Sequence, residues 1–141
     1  MKKTAVIYWS GTGNTEAMAD LVANAAQSAG ATVDKMTSAE FNVADAANYD
    51  GFALGCPAMG AEQLEESEFE PMFASLEGSL NGKKAALFGS YGWGDGQWMR
   101  DWESDCSNAG ISLTCESVTC CETPDDTALA ACREMGKALA G

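Results

Sequence analysis

Three short stretches gather residues whose types and spacing point to chemistry. The first is Ser10-Gly11-Thr12-Gly13-Asn14-Thr15, set between an apolar run and a helical pattern. Hydroxyls on Ser10, Thr12 and Thr15, with backbone amides at the positive end of a following helix, make a holder for an anion. A nucleoside triphosphate loop ends in Gly-Lys-Ser/Thr, and no lysine stands here. A dinucleotide fingerprint needs a third glycine, and Glu16 stands in its place. The anion that remains is a compact terminal monophosphate. A plain helix cap at Asn14 or Thr15 is the alternative, but a cap does not call for so many small hydroxyl residues in succession.

The second stretch, Ser90-Tyr91-Gly92-Trp93-Gly94-Asp95-Gly96, sets two aromatics among three glycines. An indole beside glycine in a loop is poorly placed for core packing and well placed to lie against a flat ligand, although Trp93 covering the end of a sheet is the competing use. The third, Pro57-Ala58-Met59-Gly60-Ala61-Glu62, brings a thioether at Met59 that packs well against an aromatic ring.

The elements that must position these stretches alternate in type. Residues 3 to 9 are β-branched and aromatic, and 14 to 28 carry Met18, Leu21, Val22 and Ala25 at helical spacing. Gly30 closes that helix and Ala31 to Met36 reads as a second strand. Phe52 to Cys56 is a fully apolar third strand, and Pro71 suits the first turn of a helix through Met72, Phe73 and Leu76. Lys84 to Phe88 reads as a fourth strand, Trp98 to Ala109 as a helix, Ile111 to Val118 as a fifth strand and Asp125 to Leu139 as the last helix. Alternation of this kind predicts an α/β fold: a parallel sheet with helices on both faces, joined by right-handed crossovers. Ligands of such sheets sit beyond the carboxyl ends of the strands, and all three stretches leave those ends. An anion cradle, an indole platform and a thioether meeting there describe a planar aromatic group tethered to one phosphate, which is flavin mononucleotide (FMN).

Composition narrows the class. A length of 141 residues, 46% of them apolar, suits one domain spanning 1–141. The formal charge of −13, from 21 acidic and 8 basic residues, repels nucleic acid and anionic lipid and favours encounter with a basic protein surface. No apolar run is long enough for a membrane span, and the run behind Lys3 stops at Trp9, short of a secretory core, so a cytoplasmic protein is expected. The six cysteines include no Cys-x-x-Cys pair and there is no histidine, so no metal site is expected, and Cys120 and Cys121 are read as free thiols.

With YWSGTGNTE, GCPAMG followed by Ala61-Glu62, LEESEFEP, and GSYGWGDG before WMRDW all in order, the chain resembles short-chain flavodoxins of clostridia and related anaerobes along nearly its whole length. The resemblance implies the flavodoxin-like three-layer sandwich, with a five-stranded sheet in the order 2-1-3-4-5, and a monomeric electron carrier for redox proteins. It implies that Ser10, Gly11, Thr12, Gly13, Asn14 and Thr15 bind the FMN phosphate. Met59 and Trp93 would cover the two flavin faces, and Glu62 would accept from the flavin N3 hydrogen. The backbone of Ser90, Tyr91 and Gly92, running into Gly94, would hold the pyrimidine edge, beside the wall formed by Pro57 and Ala58. The turn at Gly60 and Ala61 would change its peptide orientation on reduction. Ala61 stands where close relatives often have a polar residue, and Pro57 replaces a serine found in some.

Glycine at position 60 suits a turn that changes conformation, because it visits positive φ at little steric cost. A carbonyl turned to a newly protonated flavin nitrogen, contributing a net ~0.5–1.5 kcal/mol, would separate the two one-electron steps. An uncompensated phosphate and nearby carboxylates would lower the potential of the second, giving a low-potential carrier working mainly between semiquinone and hydroquinone. No nucleophile and base pair emerges near the loops, so a carrier rather than an enzyme is expected. The alternatives are a flavin-dependent quinone reductase, a phospho-receiver domain, disfavoured by Cys56 where an aspartate is needed, and a non-redox interaction module.

Overall fold

The computed structural model describes residues 3–11, 13–59, 64–80, 82–92 and 96–140. Five strands form one sheet: β1 (Lys3–Tyr8), β2 (Thr32–Thr37), β3 (Gly51–Gly55), β4 (Lys84–Tyr91) and β5 (Val118–Cys121). Their order is β2-β1-β3-β4-β5 and every neighbouring pair is parallel. Helices α1 (Asn14–Ser28), α2 (Phe69–Leu76) and α3 (Gln97–Asn108) lie in the crossovers after β1, β3 and β4, a short 3-10 helix (Val43–Asn48) lies in the one between β2 and β3, and α4 (Asp126–Ala140) follows β5; the four α-helices cover both faces. This is the α/β sandwich and strand order expected.

Because side chains alternate along a strand, each central strand feeds two cores. Ala5, Ile7, Phe52, Leu54, Ala85 and Leu87 point to the layer of α2 and α3, where Phe69, Phe73, Trp98 and Trp102 close over them. Val6, Ala53, Ala86 and Phe88 point the other way, onto Met18, Val22, Cys132 and Met135 of α1 and α4. The central strand β3 is buried at all five positions, which is why its sequence is continuously apolar rather than alternating. On the second face, α1 and α4 cross closely at Gly136, where a Cβ would lie 2.5 Å from the Val22 carbonyl oxygen.

The fifth strand differs from expectation. The alternating segment 111–118 is not the strand; β5 begins at Val118 and runs to Cys121. Upstream, Leu113 forms only an isolated bridge to Ala85. The Thr114 amide donates to the Ala85 carbonyl (2.8 Å), and the Ala85 amide donates to the Thr114 hydroxyl (3.2 Å) rather than to a backbone carbonyl. The side chain thus takes a ladder position, and pairing resumes only at Phe88 with Val118. The fourth strand also runs three residues further than expected, to Tyr91, which carries it into the ligand-facing edge.

Candidate functional site

All five strands end on one edge, and the loops leaving β1, β3, β4 and β5 meet there. Trp9, Gly11, Asn14, Pro57, Ala58, Met59, Ser90, Tyr91, Gly92, Glu122 and Thr123 line a cavity of about 560 Å³. That is within the usual span of small-molecule sites, roughly 300–1,000 Å³. A second depression of about 420 Å³ lies on the other side of the first loop, among Tyr8, Trp9, Ser10, Gly13, Glu16 and Thr37.

The first loop is built around its own serine. Ser10 Oγ accepts from the backbone amides of Gly13 (3.0 Å) and Glu16 (3.4 Å), so the loop folds back to the start of α1. Gly13, preceding the helix, has φ +94°, a left-handed conformation that favours glycine. The next amides, of Asn14 and Thr15, stand in the first helical turn, where a helix provides no internal acceptor. They form the positive end of α1, and no lysine or arginine lies among the described residues of either depression.

Thr15 is buried, and its Oγ1 accepts from the Ser90 amide (3.4 Å). The hydroxyl read as an anion ligand therefore also braces the first loop against β4. Ser90 is a junction as well: its carbonyl accepts from the Ala58 amide (3.1 Å) and its hydroxyl donates to the Glu122 carbonyl (2.7 Å). One serine thus fixes the mutual position of three of the four loops.

Pro57, Ala58 and Met59 are half-buried on the cavity wall. Trp98 Nε1 donates to the Cys56 carbonyl (3.1 Å) immediately before them, while Tyr91 leans on the same indole at 5.5 Å between ring centroids. The wall is therefore seated on a buried tryptophan of α3.

Acid groups border the site. Glu16 accepts from the Tyr8 hydroxyl (2.9 Å), and burial, with the Glu16 hydrogen bond and charge behind it, pushes the Tyr8 phenol up to about 12. Glu122 is the only described residue other than glycine at positive φ (58°). Its amide donates to the Tyr91 carbonyl (2.7 Å), holding the post-β5 loop against the end of β4.

Of the residues expected at the site, Ser10, Gly11, Gly13, Asn14, Thr15, Pro57, Ala58, Met59, Ser90, Tyr91 and Gly92 converge on this edge. Thr12, Gly60, Ala61, Glu62, Trp93 and Gly94 lie outside the described residues. Trp9, Glu122 and Thr123 line the cavity without having been anticipated. The signal for the last two was the parallel sheet itself, since the loop after its fifth strand must open on the same edge.

The site suits a flat ring with a short anionic tail. Trp9, Tyr91 and Met59 offer two aromatic rings and a thioether, and the amides opening α1 offer uncharged donors. Comparison with known proteins agrees. The flavodoxin family model matches residues 6–136. The chain is 46% identical to the flavodoxin of Megasphaera elsdenii over 135 residues, covering 96% of each, and 45% identical to that of Clostridium beijerinckii, covering 96% of this chain and 97% of the other. It superposes on the solution structure of two-electron reduced Megasphaera elsdenii flavodoxin with a TM-score of 0.89, covering 97% of this chain and 98% of that one. A flavodiiron core from Synechocystis, 24% identical, shares the fold at a TM-score of 0.87 over 35% of its own length. Sequence likeness over nearly the whole of both chains, the strand order and the cradle at the strand ends agree: the chain belongs to the flavodoxin family.

Proposed function

We propose that the protein carries electrons one at a time through non-covalently bound FMN, the cofactor of its family, seated in the cavity at the strand ends. The observation that carries this reading is the pairing of an uncharged amide and hydroxyl cradle at α1 with an aromatic and thioether cavity beside it. When bound, the flavin supplies the redox chemistry; the protein supplies binding, orientation and electrostatics.

Each group has a task. The Asn14 and Thr15 amides and the Ser10 hydroxyl hold the phosphate, aided by Thr12. Met59 and Trp93 shield the two ring faces, with Trp9 and Tyr91 completing the aromatic wall. Glu62 accepts from flavin N3, and the Ser90 to Gly92 backbone, with Gly94 beyond it, keeps the pyrimidine edge in place. The Gly60–Ala61 turn presents a carbonyl to the reduced ring and separates the two electron steps. With no lysine or arginine among the described residues of either depression, the fully reduced anion is disfavoured, so working turnover is between semiquinone and hydroquinone at low potential.

The acidic surface fits redox partners with basic docking faces, met in the cytoplasm by a monomeric carrier. A quinone reductase on the same fold is the competing reading; turnover of NAD(P)H with a quinone by the pure protein would favour it. The cofactor is tested by titrating the cofactor-free chain with FMN and with riboflavin while following flavin fluorescence. Tight quenching of FMN with much weaker riboflavin binding is expected; equal affinity for the two would remove the phosphate cradle from the account.

A further inference from the structure

The segment Leu64-Glu65-Glu66-Ser67-Glu68-Phe69-Glu70-Pro71 connects the cavity wall to α2, and Glu65 within it is unusual. It is the one carboxylate buried among the described residues, 7% exposed. A buried carboxylate is costly unless its lone pairs are filled. Here they are: Oε1 accepts from the Glu68 amide (2.7 Å) and the Phe69 amide (2.9 Å), while Oε2 accepts from the Ser67 amide (3.0 Å) and the Ser67 hydroxyl. Burial alone would raise its pKa; the Ser67 hydroxyl and the amides of Phe69, Glu68 and Ser67 outweigh that and hold it at about 2. The three backbone donors lead into α2, whose own cap residue Glu68 provides no side-chain acceptor. Glu65 therefore caps this helix from outside it.

The Glu65 carbonyl also accepts from α2, at the Glu70 amide (2.9 Å), while the Glu65 amide faces the other way. That amide donates to Cys56 Sγ (3.3 Å), and the same thiol donates to the Pro57 carbonyl (3.5 Å). Burial pushes the Cys56 thiol up to about 12, so it stays protonated and keeps both roles. Cys56 directly follows β3, at the point where the wall Pro57–Met59 begins.

We propose that Glu65 is a positioning residue for the cofactor cavity: its carboxylate fixes the first turn of α2 while its amide ties that turn, through the Cys56 thiol, to the root of the Pro57–Met59 wall. The wall and α2 then keep one mutual position, and the cavity is preorganised before any ligand arrives. The inference rests on the proposed flavin site only for its redox readout.

Amide hydrogen exchange, followed residue by residue near neutral pH, tests it on the cofactor-free chain. In Glu65→Gln the carboxamide nitrogen no longer accepts, and the amides of Ala58, Met59, Ser67, Glu68 and Phe69 are expected to exchange at least about tenfold faster, the loss of a charge-assisted hydrogen bond, while those of β1 and β3 stay within about twofold. Glu70→Gln, at an exposed carboxylate of the same helical turn, is expected to leave Ala58 and Met59 unchanged. Should Glu65→Gln fail to fold, Ser67→Ala removes one donor and is expected to show the same pattern at a few-fold amplitude. Uniform acceleration of all amides, or acceleration confined to α2, overturns the proposal. In the FMN-loaded protein Glu65→Gln is expected to change the separation between the two one-electron potentials, and an unchanged separation also overturns it. Failure of the parent chain to bind FMN would instead count against the proposed function, leaving the exchange result to decide the role of Glu65.

Discussion

At the scale of single residues, the site is a set of small polar groups that each serve twice. Ser10 shapes the loop by accepting from Gly13 and Glu16, and in the proposed function the same hydroxyl holds the FMN phosphate. Ser10→Ala is expected to cost about 1 kcal/mol of stability, as for a lost helix cap, and to weaken FMN binding more than riboflavin binding. Urea unfolding and parallel fluorescence titrations separate the two effects. Thr15→Val removes the buried acceptor of the Ser90 amide; the unfilled donor is expected to destabilise the cofactor-free chain by about 1–2 kcal/mol in the same assay. Tyr8 gives a pH signature. Its folded pKa, about 12, exceeds the ordinary value of 10.0, so its contribution to stability is complete below pH 10 and is lost as pH rises through 12. In Glu16→Gln the repelling charge is gone, and tyrosinate absorbance should show this phenol titrating below about 12, though still above 10.0, because burial remains the larger cause. An unaltered titration would show that Glu16 does not govern this phenol.

At the scale of elements, function depends on where loops leave a sheet. The periodicity of 14 to 28 and the apolar run at β3 were legible because burial enforces them: one is a helix with one covered face, the other a strand covered on both. The wall Pro57–Met59 and the turn Ser90–Gly92 were legible for the same reason, as loops that must follow buried parallel strands. The fifth strand was not. Ile111-Ser112-Leu113-Thr114 alternates like a strand, yet the Thr114 side chain replaces a backbone acceptor and pairing resumes only at Val118. That difference is a matter of partner geometry at a sheet edge, which alternation in one strand does not encode. Trp9 at the site was hidden because an aromatic at the end of an apolar run reads as core. The crossing of α1 and α4 offers an element-scale test. A Cβ at position 136 would meet the Val22 carbonyl oxygen at 2.5 Å, so Gly136→Ala must push the helices apart. A loss of about 1–3 kcal/mol is expected by urea unfolding, despite alanine's better helix propensity; a stabilised variant would contradict the crossing.

At the scale of the whole molecule, charge and cradle act together. A charge of −13 would steer encounters with the basic partners proposed above, so association with a basic redox protein is expected to slow as salt is raised. Stopped-flow rates independent of ionic strength would remove steering from the account. The same charge acts inward: a like charge ~10 Å away costs about 0.4 kcal/mol in a water-like medium and about 1.7 kcal/mol at an effective dielectric near 20, and several such charges add. If the phosphate is held as proposed, by amides and hydroxyls with no lysine or arginine among the described residues of either depression, that repulsion would stay uncompensated there and a strong reductant is expected. The measurement that tests this most directly is a stepwise reductive titration of the FMN-loaded protein followed by absorption spectroscopy. Two separated one-electron steps are expected, with a blue neutral radical accumulating between them and the second step at the lower potential; a single two-electron wave without the radical would contradict the account.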